Sequence, residues 1–251
     1  MNWIINKVID DLTALGITKG DNLLVHSSLH SLGDFNGKAK TVTEALLNVI
    51  GKSGTLLMPA LSYETVGKDN PYFEVSKTPS CVGGLTEYFR LRDDTERSIH
   101  PTHSVSGVGL NVEYFLKDHY LDNTPVGENS PFVKLKKVCG KILFIGCGLN
   151  PNTSVHGIEE LVKPPYLFDG ETLYTLTDKS GKQFKKKYMN HNFKGYKQRY
   201  DRMESLLDEK YLVKGKIMKA DAYLMSSSEL WKVAHKKLRL DPLYFVDRIP
   251  E

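Results

Sequence analysis

The sequence predicts a single α/β domain, and three features carry that prediction. Short apolar runs alternate with amphipathic helical segments, a β-α-β unit is explicit between Asn22 and Pro59, and a strand pair follows later across Lys179-Ser180-Gly181. The 251 residues, 40% of them hydrophobic, suffice for one large core, and no repeat, low-complexity linker or composition break divides them. Residues 1–251 are therefore read as one domain.

Trp3–Leu15 has helical spacing and is stopped by Gly16; its mixture of charge and apolar residues is not a leader-peptide core. Asn22–Leu29 reads as a short apolar strand running into His26, Ser27 and Ser28, whose hydroxyls and backbone N–H groups would suit a phosphate or a pantetheine amide. Taken alone it is equally an ordinary strand end. A helix over Thr41–Ile50, stopped by Gly51, and a strand over Gly54–Met58 complete a unit that favours a parallel pair and a right-handed crossover. Residues 60–82 hold no convincing element, and a long aromatic and polar loop after a strand is a usual place for substrate recognition. Tyr63 and Glu64 come directly off the strand end and are its best-placed candidates.

A helix over Gly84–Leu91 leads to His100-Pro101-Thr102-His103 and a Ser/Val/Gly strand from Ser104 and Val105 onward. The two histidines have no acidic or thiolate neighbours in sequence, so no metal is expected, and close approach of a ligand to small residues explains the segment better. Asp122–Pro131 is a further loop and carries Glu128. The run Ile142–Ile145 reads as a buried strand stopped by Gly146-Cys147-Gly148; Asn152-Thr153-Ser154 then offers candidate caps for a helix. His156 would lie in its first turn, with Glu159 at i+3 to orient or polarise the imidazole, a general-base arrangement. His-x-x-Glu alone is a weak signal, equally met on a surface helix. A hairpin of Thr172–Thr177 with Gln183–Met189, a helix Tyr200–Lys210, a strand Val213–Met218, a helix Ser226–Lys237 and an apolar tail Asp241–Phe245 that packs on the body complete the chain.

Composition narrows the function classes. No apolar run approaches the ~18 residues a membrane span needs. Cys81, Cys139 and Cys147 form no CxxC pair, which argues for a reducing cytoplasm and against a zinc site. The formal charge of +4 comes mainly from late lysine-rich runs, which read as solvated faces, so no nucleic-acid partner is expected.

HSSL, GTLLMP, RSIHPTHSVSGVG, TPVGENSPFVKL, GKILFIGCGLNPNTSVHGIEE and DPLYF, in this order and spacing, resemble the aminoglycoside 3-N-acetyltransferase family over about Leu23–Phe245. The resemblance implies a central mixed β-sheet with helices on both faces and a C-terminal hairpin and helix extension. It implies acetyl-CoA as co-substrate, a small-molecule amine acceptor, His156 as the catalytic base and Glu159 as its carboxylate partner. His26, Ser27, Ser28, Leu29, His103, Ser104 and Val105 match the family's coenzyme-A walls, and Thr153 or Ser154 would supply an oxyanion donor. Tyr63, Glu64, Glu128, Asn190 and Asn192 are the substrate-side candidates. Family members include dimers, which leaves a homodimer open.

One departure bears on the acceptor. The family's acidic lining after the hairpin is replaced here by Tyr188–Phe193, preceded by three lysines, while Glu64 and Asp69 are kept. A basic rim would suit an acceptor that itself carries negative charge, such as a nucleotide-linked amino sugar, with acetyl or a longer acyl group transferred. Two readings of other classes stand beside the transferase. One is an inactive coenzyme-A or sugar-binding protein. The other is a hydrolase using Ser27 or Ser28, which would want a Gly-x-Ser-x-Gly elbow that the chain lacks.

Overall fold

The computed structural model describes residues 2–250. The chain runs α1 (Asn2–Ala14), β1 (Asn22–Ser27), α2 (Lys38–Ile50), β2 (Thr55–Pro59), β3 (Tyr72–Glu74), α3 (Gly84–Arg90), β4 (Glu96–Arg97), β5 (Val105–Gly109) and α4 (Val112–Leu116). It continues α5 (Pro131–Lys137), β6 (Lys141–Ile145), α6 (Ser154–Val162), β7 (Phe168–Thr177), β8 (Gln183–His191), β9 (Tyr196–Gln198), β10 (Leu212–Ile217), β11 (Ala220–Ser226), α7 (Ser227–Leu240) and β12 (Val246–Arg248).

The expected mixed sheet has seven strands in the order β10-β11-β6-β1-β2-β5-β4. Its centre is parallel: Leu24 pairs with Ile142 on one side and Leu57 on the other, the latter through the anticipated β-α-β crossover. The outer strands are antiparallel, with β5 on β2, β4 on β5, β11 on β6 and β10 on β11. Strands buried on both faces read as continuous apolar runs, and β1, β2 and β6 do so because each face carries helices. The layer of α1, α2 and α3 closes over Val25, Met58, Leu143 and Ile145. The layer of α5, α6 and α7 closes over Leu24, Leu57, Ile142 and Phe144.

The hairpin forms across Asp178–Lys182, where Asp178 Oδ1 accepts the backbone N–H groups of Ser180 and Lys182. It joins β3 in a separate three-stranded sheet packed on Phe73, Tyr174, Leu176 and Tyr188. A last strand pair, β12 on β9, covers the tail, and Phe245 is fully buried as the apolar tail predicts.

Several expectations are corrected. The Tyr200–Lys210 helix is a 3-10 segment, Tyr200–Leu206, because tertiary anchors outweigh helical spacing. Tyr200 N–H donates to Asn150 Oδ1, and the Arg199 and Arg202 guanidiniums reach Asp247. Strand β11 and helices α4 and α5 went unforeseen; α5 starts on Ser130, whose Oγ accepts Val133 N–H, with Pro131 in its first turn. Within 60–82 the only element is the three-residue β3. No helix among the described residues is long and apolar enough to cross a membrane.

Candidate active site

The site lies where β1, β2 and β6 end together, the carboxyl edge at which open α/β sheets usually bind ligands. Gly146 makes the exit from β6 with φ +64°, and Ser31 Oγ donates to its carbonyl at 2.8 Å; a Cβ there would meet Ser31 Cβ at 2.4 Å. The chain then turns through Asn150–Asn152 into α6. Asn152 Oδ1 accepts Ser154 N–H, so the first of the three candidate caps is the one that works. Helix α6 is not a surface helix, since every residue from Ser154 to Glu160 is buried.

His156 is held from behind. Its Nδ1 is 3.1 Å from Glu159 Oε2 and 3.0 Å from Tyr200 Oη, while Tyr200 O–H donates to the same carboxylate oxygen at 2.8 Å. Tyr166 O–H donates to the other oxygen at 2.7 Å. A hydroxyl has one proton, and Tyr200 spends it on the carboxylate, so the Nδ1–H of His156 is the remaining donor. That tautomer leaves Nε2 as the basic nitrogen, and Nε2 has no hydrogen-bond partner among the described residues. Glu159 is fully buried and takes its hydrogen bonds from these three side chains. Burial and the facing carboxylate push both tyrosine hydroxyls above the ordinary phenol range.

Two more histidines stand beside it. His103 and His191 lie 5.7 and 4.9 Å from His156 between ring centroids. His100 fixes the loop, its Nδ1 accepting the backbone N–H groups of Thr102 and His103. His191 Nε2 is 2.9 Å from Glu160 Oε1, which also accepts Val126 N–H. Burial raises the Glu160 carboxyl to about 7 and holds His103 and His191 well below the usual imidazole value.

In front of these rings is a cleft of about 860 Å³, with room for two small-molecule reactants in contact. Of the residues marked in the sequence, His26, Ser27, Tyr63, His103, His156 and Asn190 line it. Thr153 lines it too, whereas Ser154 is buried beneath with its hydroxyl unpaired. The others stand elsewhere. Ser104 Oγ donates to Ala60 O and accepts from Arg97, and Val105 is a core residue. Ser28 accepts from Ser31, and Leu29 packs under the sheet. Glu64 is exposed outside the lining, Asn192 Oδ1 accepts Lys194 N–H in a turn, and exposed Glu128 faces Lys137 at 3.5 Å. Asn190 has its amide committed to Tyr174 and Thr172.

The basic rim is also corrected. Lys185 is exposed, Lys186 is turned onto the carbonyls of Tyr120 and Asp122, and Lys187 faces Glu171 at 3.6 Å; none lines the cleft. The charged side chains that do line it are Lys68, Asp69 and Asp169, with Lys68 bound to Asp169 at 2.6 Å. Tyr166, Tyr200, Glu160, Asp169 and the role of His191 were missed in the sequence. Only Glu160 had a signal there, its place beside Glu159; the others reach the site from distant segments.

Comparison with known proteins agrees with this geometry. Residues 24–239 match the model of the aminoglycoside 3-N-acetyltransferase family. The chain belongs to that family. Its named relatives are N-acetyltransferases, and that is the class of enzyme it is. Aminoglycoside N(3)-acetyltransferase IV from a Salmonella species is 30% identical over 247 residues, 97% of this chain and 90% of that one. The prophage-derived, aminoglycoside acetyltransferase-like protein YokD of Bacillus subtilis is 32% identical over 170 residues, 60% of this chain and 62% of its own length. Among solved structures, a histidine-to-alanine mutant of aminoglycoside acetyltransferase AAC(3)-IVa in complex with gentamicin superposes with a TM-score of 0.82 at 28% identity, covering 96% of this chain and 90% of that one. The family fold is thus present over nearly the whole chain.

Proposed function

We propose that this acetyltransferase moves an acetyl group from acetyl-CoA to an amino group of a polycationic amino sugar of the aminoglycoside type, by direct attack within a ternary complex. The observation that carries the reading is the His156–Glu159–Tyr200 constellation at the back of the cleft. The neutral amine attacks the thioester carbonyl while Nε2 of His156 takes its proton. The C–S bond breaks as the amide forms, and the imidazolium returns the proton to the leaving thiolate. Glu159 stabilises the imidazolium through Nδ1–H, as the third group of a nucleophile-activating triad does. No covalent enzyme intermediate is needed, because proximity supplies the rate advantage that a covalent step would.

The hydrolase reading has no support. Among the described residues Ser27 Oγ is buried without a partner and Ser28 Oγ accepts from Ser31 Oγ, so neither hydroxyl is hydrogen-bonded to a base. For the acceptor, the lining favours a cation. Asp69 lines the cleft with no ion-pair partner among the described residues, and the half-exposed Lys68–Asp169 pair is worth at most about 1 kcal/mol, so an acceptor ammonium can displace the lysine cheaply.

The test is free-thiol release from acetyl-CoA against kanamycin-type aminoglycosides and against nucleotide-linked amino sugars. Turnover is expected with the former. Turnover with sugar nucleotides alone would overturn the acceptor assignment, and an equal rate for His156→Ala would remove His156 from its role.

A further inference from the structure

Three histidines far apart in sequence meet at the back of the cleft: His103 before β5, His156 in the first turn of α6 and His191 at the end of β8. One ring nitrogen of each lies within 4.8 Å of one from each of the others. Every ring has one nitrogen engaged by an oxygen. His156 Nδ1 faces Glu159 at 3.1 Å, His191 Nε2 faces Glu160 at 2.9 Å, and His103 Nδ1 faces the Thr102 hydroxyl at 2.9 Å. The second nitrogen of each has no hydrogen-bond partner among the described residues, and for His191 that nitrogen, Nδ1, is shut off from solvent as well. A shielded polar atom without a partner is uncommon enough to need a reason.

We propose that His103, His156 and His191 form a three-imidazole site for a borderline divalent transition metal such as Zn²⁺, and that metal binding there switches the transferase off. The donor set fits. Imidazoles suit Zn²⁺, and an oxygen on the far nitrogen of each ring is the arrangement that fixes tautomer and orientation in histidine–metal sites. The charge fits as well. Glu159 and Glu160 are both buried, and among the described residues the basic groups that face them are these histidines rather than a lysine or arginine. A dication between the rings would face two carboxylates at one remove. Nitrogens within 4.8 Å of one another must draw together to about 3.3 Å to hold a tetrahedral ion at about 2.0–2.1 Å, so the rings close on the metal as it binds. Three protein ligands leave the fourth position to the cleft, where water or the acceptor amine can take it.

Occupation is inhibitory because the metal takes the lone pair of His156 that would accept the amine proton. That half rests on His156 as the base; the binding half does not. The spacing of His100 and His103 gave no hint of such a site, because its other two members arrive from separate elements.

The test uses chelator-treated full-length protein titrated with Zn²⁺ by calorimetry and with Co²⁺ by visible absorbance. One equivalent is expected, with the ligand-field bands of a tetrahedral Co²⁺ site. His103→Ala, His156→Ala and His191→Ala should each weaken binding at least about tenfold, and Glu160→Gln about 10–100-fold. Metal-free melting curves check that each variant folds, and glutamine replaces alanine where one does not. Absence of binding overturns the site. So does affinity retained in any one of the three histidine variants, which would direct the metal to surface groups such as His30 or Cys139. Stoichiometric binding that leaves acetyl transfer untouched would keep the site but overturn the switch, and with it His156 as the base.

Discussion

The proposed role of His156 as base depends on the groups that stand behind it, and that can be tested one atom at a time. Glu159→Gln keeps the shape of the carboxylate but removes the charge proposed to stabilise the imidazolium, and leaves one acceptor oxygen in place of two. We expect kcat to fall about 10²–10⁴-fold, with KM for acetyl-CoA little changed, in steady-state assays. Tyr200→Phe removes one donor to the carboxylate while leaving His156 its partner, so a smaller loss of about tenfold is expected. Equal losses for the two variants would mean that Tyr200 is doing more than positioning. At this scale the sequence was half legible. His156 and Glu159 are one helical turn apart, a spacing that propagates directly into contact, whereas Tyr166 and Tyr200 meet Glu159 only through the tertiary fold. Glu128 and Asn192 misled for the converse reason, since nearness in sequence to a site element does not orient a side chain toward it.

The elements were legible where their pattern was strong and dim where tertiary contacts chose the conformation. The parallel core β6-β1-β2 could be read from three apolar runs, each bounded by polar or glycine punctuation. Strand β11 was hidden by the tight turn at Met218-Lys219, and the 3-10 segment at Tyr200 is held by partners that periodicity does not encode. Helix α6 shows how an element serves the site. It packs on α7 through Gly157, where an added Cβ would meet the Trp231 ring at 2.4 Å and Val126 at 2.6 Å. Alanine is the better helix former by about 1 kcal/mol, yet overpacking against buried Trp231 should cost about 1–3 kcal/mol and outweigh it. Gly157→Ala should therefore lower the urea midpoint and, because it shifts the backbone next to His156, lower kcat with it. A gain in stability would show that α6 can slide on α7 without strain.

At the scale of the whole molecule, the buried histidines set how the fold responds to acid. Burial holds His26 and His119 down to about 3, and His100, His103 and His191 well below their ordinary 6.5. A base depressed in the folded state binds fewer protons there than in the unfolded chain. Its stabilising contribution is complete above pH 6.5 and is lost as pH falls toward the folded value. Glu160 has the opposite sign. Burial lifts its carboxyl from 4.5 to about 7, so its contribution is complete below 4.5 and is lost as pH rises through 7. Between those values five bases oppose one acid, and each fully titrating group changes stability by about 1.4 kcal/mol per pH unit. Net of Glu160, four such groups remove about 5–6 kcal/mol per pH unit once fully titrating below 6.5, so a domain with about 5–15 kcal/mol to lose should unfold over about one to three pH units below that value. Urea midpoints measured from pH 8 to 5 should be level at the alkaline end and fall steeply below 6.5. Glu160→Gln should steepen that fall by removing the opposing group, and His119→Asn should make it shallower by about one proton. A midpoint independent of pH down to 5 would mean that water reaches these rings in the folded state and lets them charge without unfolding.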